Sequence, residues 1–163
     1  MIRIIDADKE HIPVIHKLAY RIWPMAFSDI LVPEQVTYML QWMYSIPSLE
    51  DQMNRGHQFL LAKEDGQYTG YASYELNYDS HTAKLHKLYV LSSARGKGVG
   101  KCLLEEVINR AKHKGQQALH LNVNRSNEAI QFYEDFGFRI IREEDNDIGN
   151  GFFMNDYVME LIL

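Results

Sequence analysis

Apolar and polar residues alternate from Ile2 to Asp6, the two-residue period of a strand. The spacing then lengthens, because Ile12, Ile15, Leu18, Ala19 and Ile22 recur every three or four residues and lay one apolar stripe along a helix from Lys9 to Ile22. Pro24 is expected to stop that helix, since proline removes a backbone donor. A second helix is expected to begin near Pro33, a residue suited to a first turn, and to run through Val36, Leu40 and Met43 toward Pro47. His57 to Lys63 and Thr69 to Asn77 are β-type runs, and Glu64-Asp65-Gly66-Gln67 joins them as an Asp-Gly hairpin. Ala83 to Leu91 alternates again, with Leu85, Lys87 and Tyr89 on one face and His86, Leu88 and Val90 on the other.

From Gly98 to His113 the period is helical, with Leu103, Leu104, Val107, Ile108 and Ala111 as the buried stripe and Gly115 as the cap. Gln117 to Val123 reads as a strand, and Ser126 is the expected N-cap of a helix that buries Ala129, Phe132, Tyr133 and Phe136. Gly137 ends it, and Phe138 to Glu143 and Phe152 to Leu163 are closing strands. Hairpin strands followed by strands alternating with helices predict an α/β fold, a mixed sheet with helices on both faces. With no repeat, linker or biased segment, residues 1–163 read as one domain.

Composition narrows the partners. Hydrophobic residues at 46% and charged residues at 24% suit a chain that folds on its own core. A formal charge of −5 argues against nucleic acid, whose recognition rests on cations neutralising phosphates. No signal-peptide pattern opens the chain and no apolar run is long enough for a membrane, so a cytoplasmic location without membrane attachment is expected. The single cysteine, Cys102, excludes an internal disulfide framework. His11 and His16 are not one turn apart, and no other group has ligand spacing, so no metal is expected.

The chemistry concentrates after the alternating strand at Ala83–Leu91, in Arg95-Gly96-Lys97-Gly98-Val99-Gly100-Lys101. Glycines let the backbone turn and approach a ligand, and the unpaired amides at a helix start face an anion along the positive end of the dipole. A dinucleotide fingerprint would need glycine where Lys101 stands. A Walker loop would need glycine at Arg95 and a hydroxyl at Cys102. Arg95-x-x-Gly98-x-Gly100 remains.

That pattern resembles the pyrophosphate motif Gln/Arg-x-x-Gly-x-Gly/Ala of the GNAT superfamily of N-acetyltransferases. A second segment is similar to the superfamily's other signature: Asn124 and Asn127 lead to Ala129, Phe132-Tyr133 and Gly137-Phe138. The resemblance spans nearly the whole chain and implies a mostly antiparallel sheet splayed between two central parallel strands. It implies acetyl-CoA as cosubstrate, held by backbone amides from Arg95 to Lys101 (Arg95, Gly96, Lys97, Gly98, Val99, Gly100, Lys101), by the strand edge Leu88, Tyr89 and Val90, and by Asn127. Tyr133 would serve the departing thiolate and His86 would take the amine's proton, giving direct attack in a ternary complex.

Each role has a simpler competitor. Asn127 could bond its own backbone at the helix start, Tyr133 could serve packing, and His86 could be an ordinary strand histidine. The partner implied is a small-molecule amine, and a homodimer is left open. Tyr20, Trp23, Tyr38 and Trp42 in the first two helical segments, with Asp145, Asp147 and Asp156 later, suit a long cationic amine. The run Ile148 to Met159 resembles that of bacterial polyamine acetyltransferases of the PaiA type, which makes spermidine or spermine the leading acceptor. Acetylation of a protein N-terminus or lysine, and coenzyme sensing without catalysis, are the alternatives.

Overall fold

The computed structural model describes residues 1–163. Strand β1 (Arg3–Ala7) leads through a 3-10 turn into helices α1 (Ile12–Ala26), α2 (Pro33–Tyr44) and α3 (Ile46–Asn54). Strands β2 (Gln58–Glu64), β3 (Gln67–Asp79) and β4 (Thr82–Val90) follow as hairpins. Then α4 (Val99–His113), β5 (Ala118–Asn124), α5 (Ala129–Asp135), β6 (Arg139–Gly149) and β7 (Phe152–Ile162) complete the chain. One sheet runs β1-β2-β3-β4-β5-β7-β6, antiparallel at every pairing except β4 with β5.

The β2–β3 turn is the expected one: Glu64 faces Gln67 across Asp65 and Gly66, both at positive φ, 51° and 79°. The helices depart from expectation at two prolines. Pro24 lies inside the last turn of α1, which continues to Ala26. The carbonyl left without its N–H belongs to exposed Tyr20, on the solvent side of the helix. Pro47 starts a third helix where an end was expected. Ser45 is its N-cap, accepting from the Ser48 amide at 3.3 Å, so the proline falls where its missing donor is harmless.

Two apolar layers sandwich the sheet. On one face α1 to α3 bury Ile15, Trp23, Tyr44 and Leu49 against Tyr71, and the Trp23 indole N–H donates to the Tyr71 hydroxyl at 3.2 Å. On the other, α4 buries Val99, Leu103, Leu104 and Val107, each fully packed aliphatic side chain contributing about 1.5–3 kcal/mol. Gly70 of β3 allows this closeness. A Cβ there would lie 2.9 Å from the Tyr89 carbonyl oxygen and 3.3 Å from Val90 and Val99 methyls. Because a backbone oxygen cannot swing aside, Gly70→Ala is expected to lower stability by about 1–3 kcal/mol, seen as a lower urea midpoint with an unchanged slope.

The feature that makes room for a ligand is the central parallel pair. β4 and β5 bond only from Thr82 to Leu85 and from Ala118 to Leu121. Beyond that point β5 stays with β7 as far as Asn124, while β4 follows β3 to Val90. The strands part, and the β5-facing edge of β4 from His86 to Val90 is left without a strand partner.

Candidate active site

The strand edge opens onto the glycine loop. After β4, a 3-10 turn at Ser92–Ala94 carries the chain to exposed Arg95, Gly96, Lys97 and Gly98, and α4 begins at Val99. Gly96 and Gly98 have φ of 78° and 86°, the left-handed region in which a β-carbon is strained. The first full helical bond runs from the Cys102 amide to the Gly98 carbonyl, so the amides ahead of it face outward. Lys97 and Arg95 add exposed positive charge, and Lys101 lies 3.9 Å from Glu105. A cleft of about 150 Å³ between Arg21, Met25, Val90, Leu91, Ser92 and Arg95 joins loop and strand end.

Tyr133 projects from α5, 7% exposed, between Phe132 and Phe138. Burial alone raises its pKa, and no hydrogen bond counters the shift. The hydroxyl is therefore a neutral donor at any working pH. Tyr89 is half-buried, against Trp23, Phe27 and Tyr71. Burial raises its pKa first, and the neighbouring Tyr44, Tyr133 and Asp156 disfavour its ionisation further.

Asn127 makes a local contact. Its Oδ1 accepts from the Ala129 amide at 2.8 Å at the start of α5. Ser126 does not cap the helix as expected. It is exposed, and its amide donates to Asn124 Oδ1 at 2.9 Å. Two consecutive Asn-headed turns thus occupy the first turn read from sequence, which delays the helix to Ala129.

His86 lies next to the point of separation, but its ring points elsewhere. Leu85 pairs with Tyr74 and Lys87 with Ser73, so His86 is the extra residue of a β-bulge and strict alternation along β4 fails there. Its Nε2 lies 2.9 Å from Glu75 Oε1, and its ring stacks on His57 at 4.1 Å with 5° between planes. His57 Nε2 is 3.4 Å from the same oxygen. The sequence reading missed this cluster because the three residues are far apart along the chain. The ligand atoms of the three residues lie within 4.8 Å of one another, a grouping with the spacing of metal ligands that the sequence reading had not found. Burial, then the Lys87 and Lys84 ammoniums, lowers the His86 pKa to about 3. The ring is neutral at pH 7, with Nε2–H donating to Glu75. Lys87 itself is buried, donates to Gln52 Oε1 at 2.7 Å, and is lowered to about 7 by desolvation.

A parallel pair parting beside a glycine-opened helix start is the architecture of an acyl-CoA-binding transferase. Residues 29–161 match the family model described as an acetyltransferase (GNAT) domain, and the chain belongs to that family. It is an acetyl-CoA-dependent N-acetyltransferase. A [ribosomal protein bS18]-alanine N-acetyltransferase of Haemophilus influenzae is 35% identical over 114 residues, covering 69% of this chain and 74% of the relative. The crystal structure of the PaiA N-acetyltransferase of Thermoplasma acidophilum with coenzyme A superposes with a TM-score of 0.85 at 25% identity, covering 100% of this chain and 99% of that one. A ribosomal-protein-alanine N-acetyltransferase from Brucella melitensis gives a TM-score of 0.70 at 26% identity, with 99% of each chain covered. No helix of this chain is long and apolar enough to cross a membrane.

Proposed function

We propose that the chain acetylates a primary amine of a small cationic acceptor, a polyamine such as spermidine first among them, by direct attack within a ternary complex. The observation that carries the reading is the open edge of β4 between the glycine-loop amides and buried Tyr133. The pantetheine arm of acetyl-CoA would pair along Leu88 to Val90, with its pyrophosphate on the amides from Arg95 to Lys101. Asn127 would flank it at the start of α5. The full-length superposition on the PaiA acetyltransferase supports the polyamine choice. The closer sequence likeness to an alanine N-acetyltransferase supports a second reading, a protein N-terminus. Initial rates with acetyl-CoA against spermidine, spermine, arylalkylamines and alanine-starting peptides separate them. Saturable turnover of spermidine above all peptides is expected, and turnover of peptides alone would assign the second reading. Coenzyme binding without any turnover would make the chain a sensor.

In the reaction the amine nitrogen bonds to the thioester carbonyl carbon, the carbon–sulfur bond breaks, and the thiolate leaves. An alkyl ammonium of pKa about 10.4 must first lose a proton, at about 4.6 kcal/mol at pH 7. The sequence offered His86 for that proton, but burial that lowers its pKa to about 3 makes its imidazole too weak a base and the ring turns toward β3, so we assign the proton to water in the splay. The sequence alone suggests a rate limb near the ordinary histidine pKa, whereas burial moves any such limb far below the working range. His86→Gln is therefore expected to keep the rate at pH 7 within about threefold and the shape of the profile between pH 6 and 9 unchanged. A loss of about 10²-fold at pH 7 with coenzyme affinity unchanged would restore His86 as the base.

A further inference from the structure

On the face of the sheet covered by α2, opposite α4, lies a carboxylate that the acetyl-transfer chemistry above leaves unused. Asp156 of β7 pairs with Asn124, the last β5 residue along the splay, and is only 6% exposed. Its Oδ2 accepts from Asn122 Nδ2 at 3.3 Å and from Asn146 Nδ2 at 3.4 Å. Its Oδ1 is buried with no hydrogen-bond partner. The same two amides also serve Glu144 Oε1, at 3.0 Å from Asn122 and 3.5 Å from Asn146. The two amides thus bridge the two carboxylates, and while Glu144 Oε2 also accepts from Arg142 Nε at 3.1 Å, no cation bonds Asp156. The Lys84 ammonium, 3.4 Å from the Tyr78 hydroxyl and 4.5 Å from its ring centroid, acts on Asp156 only at a distance, without a hydrogen bond to it.

A carboxylate oxygen stripped of water and given no donor is unfavourable in the empty protein, and a bound cation with N–H donors removes the deficit. The position suits an acceptor. The Asp156 charge acts on the Tyr89 phenol, which places the carboxylate within reach of the β4 end of the splay. A cleft of about 290 Å³ opens alongside, between Leu31, Gln35, Asn124, Phe153, Asn155 and Arg125, whose guanidinium is paired with Asp145 and Glu143. The Gln35 side chain spans from α2 to the Phe153 carbonyl at 2.8 Å and fixes that wall. A slender alkyl stem ending in an ammonium, with three donors and one charge, meets a carboxylate lying next to the cleft, behind Asn124 and Asn155, better than a neutral or acidic group does.

We propose that Asp156, with Glu144 as the second negative charge, holds an ammonium of the acceptor, which makes the acceptor a di- or polyamine. The proposal rests on the amine-acetylation reading and sharpens it to one substrate class and one residue. Asn122 and Asn146 set the carboxylate's orientation and are positioning residues.

The test is calorimetric titration of spermidine into the protein saturated with coenzyme A, which cannot react. Asp156→Asn keeps the shape and an acceptor for Asn122 and Asn146 while removing the charge. It is expected to weaken spermidine binding by about tenfold to a hundredfold and to leave coenzyme A affinity within twofold. Glu144→Gln, less buried, is expected to weaken it about threefold and supplies the same reading if the first variant fails to fold. Unchanged spermidine affinity in a folded Asp156→Asn protein, or no spermidine binding to the parent, would overturn the assignment. So would sensitivity confined to an alanine-starting peptide. If the parent acetylates other amines but neither variant matters, only this assignment falls, whereas absence of turnover with every amine and peptide defeats the enzymatic reading itself.

Discussion

Gly98→Glu is expected to weaken acetyl-CoA binding by at least about 10²-fold while the chain remains folded. Gly98 is the N-cap of α4 at φ 86°, and a β-carbon placed on it meets no atom within 4 Å. Any side chain therefore adds only left-handed backbone strain, about 1–2 kcal/mol, on an exposed loop. The charge acts on the ligand. A carboxylate about 4 Å from a phosphate oxygen repels it by about 4 kcal/mol at an effective dielectric near 20, and tenfold in affinity is about 1.4 kcal/mol. Halving the repulsion for solvent and salt still leaves more than tenfold, before the loss of amides turned away from the pyrophosphate. Gly98→Ala isolates the strain and is expected to lose much less. Calorimetry with acetyl-CoA, beside circular dichroism to establish folding, measures both. A folded Glu variant with parental affinity would place the pyrophosphate elsewhere.

Why this loop is legible in sequence, and the acceptor side is not, follows from how each is built. The loop is local. Arg95, Gly98 and Gly100 fall within six consecutive residues, and the strand before them and the amphipathic helix after them are read from periodicity alone. The hairpin at Asp65-Gly66 is local in the same way. Pro47 misleads because proline both ends helices and opens them, and only the Ser45 cap shows which it does. The titratable clusters are assembled across strands. His57, Glu75 and His86 meet because β2, β3 and β4 are neighbours and because a bulge turns His86, and no two-residue alternation encodes that extra residue. Asp156, Asn122, Asn146 and Glu144 join three strands, β7, β5 and β6. The sequence offered Asp145 and Asp147 for a loop before the last strand, but β6 runs on to Gly149, and both residues lie on that strand. Asp156 was among the acidic candidates, and only the fold reveals that one of its oxygens is buried without a donor.

Tyr133→Phe is expected to reduce kcat by about 10²-fold or more while the Michaelis constant for acetyl-CoA stays within about threefold. The ring is packed between Phe132 and Phe138, and phenylalanine keeps that packing, so the cofactor wall should not move. What disappears is one hydroxyl whose pKa burial holds above its ordinary value of 10. Such a phenol does not surrender its proton readily. A thiol near 8.5 facing a phenol near 10 is already mismatched by about 2 kcal/mol for complete transfer, and burial widens the gap. The hydroxyl is then a hydrogen-bond donor to charge that develops on sulfur as the carbon–sulfur bond stretches. That interaction is stronger in the transition state than in the bound thioester, and only such an interaction accelerates chemistry. Stopped-flow measurement of the acetyl-transfer step distinguishes this from slow product release. A parental transfer rate with a raised Michaelis constant for acetyl-CoA would instead assign Tyr133 to holding the thioester, with the thiolate taking its proton from solvent.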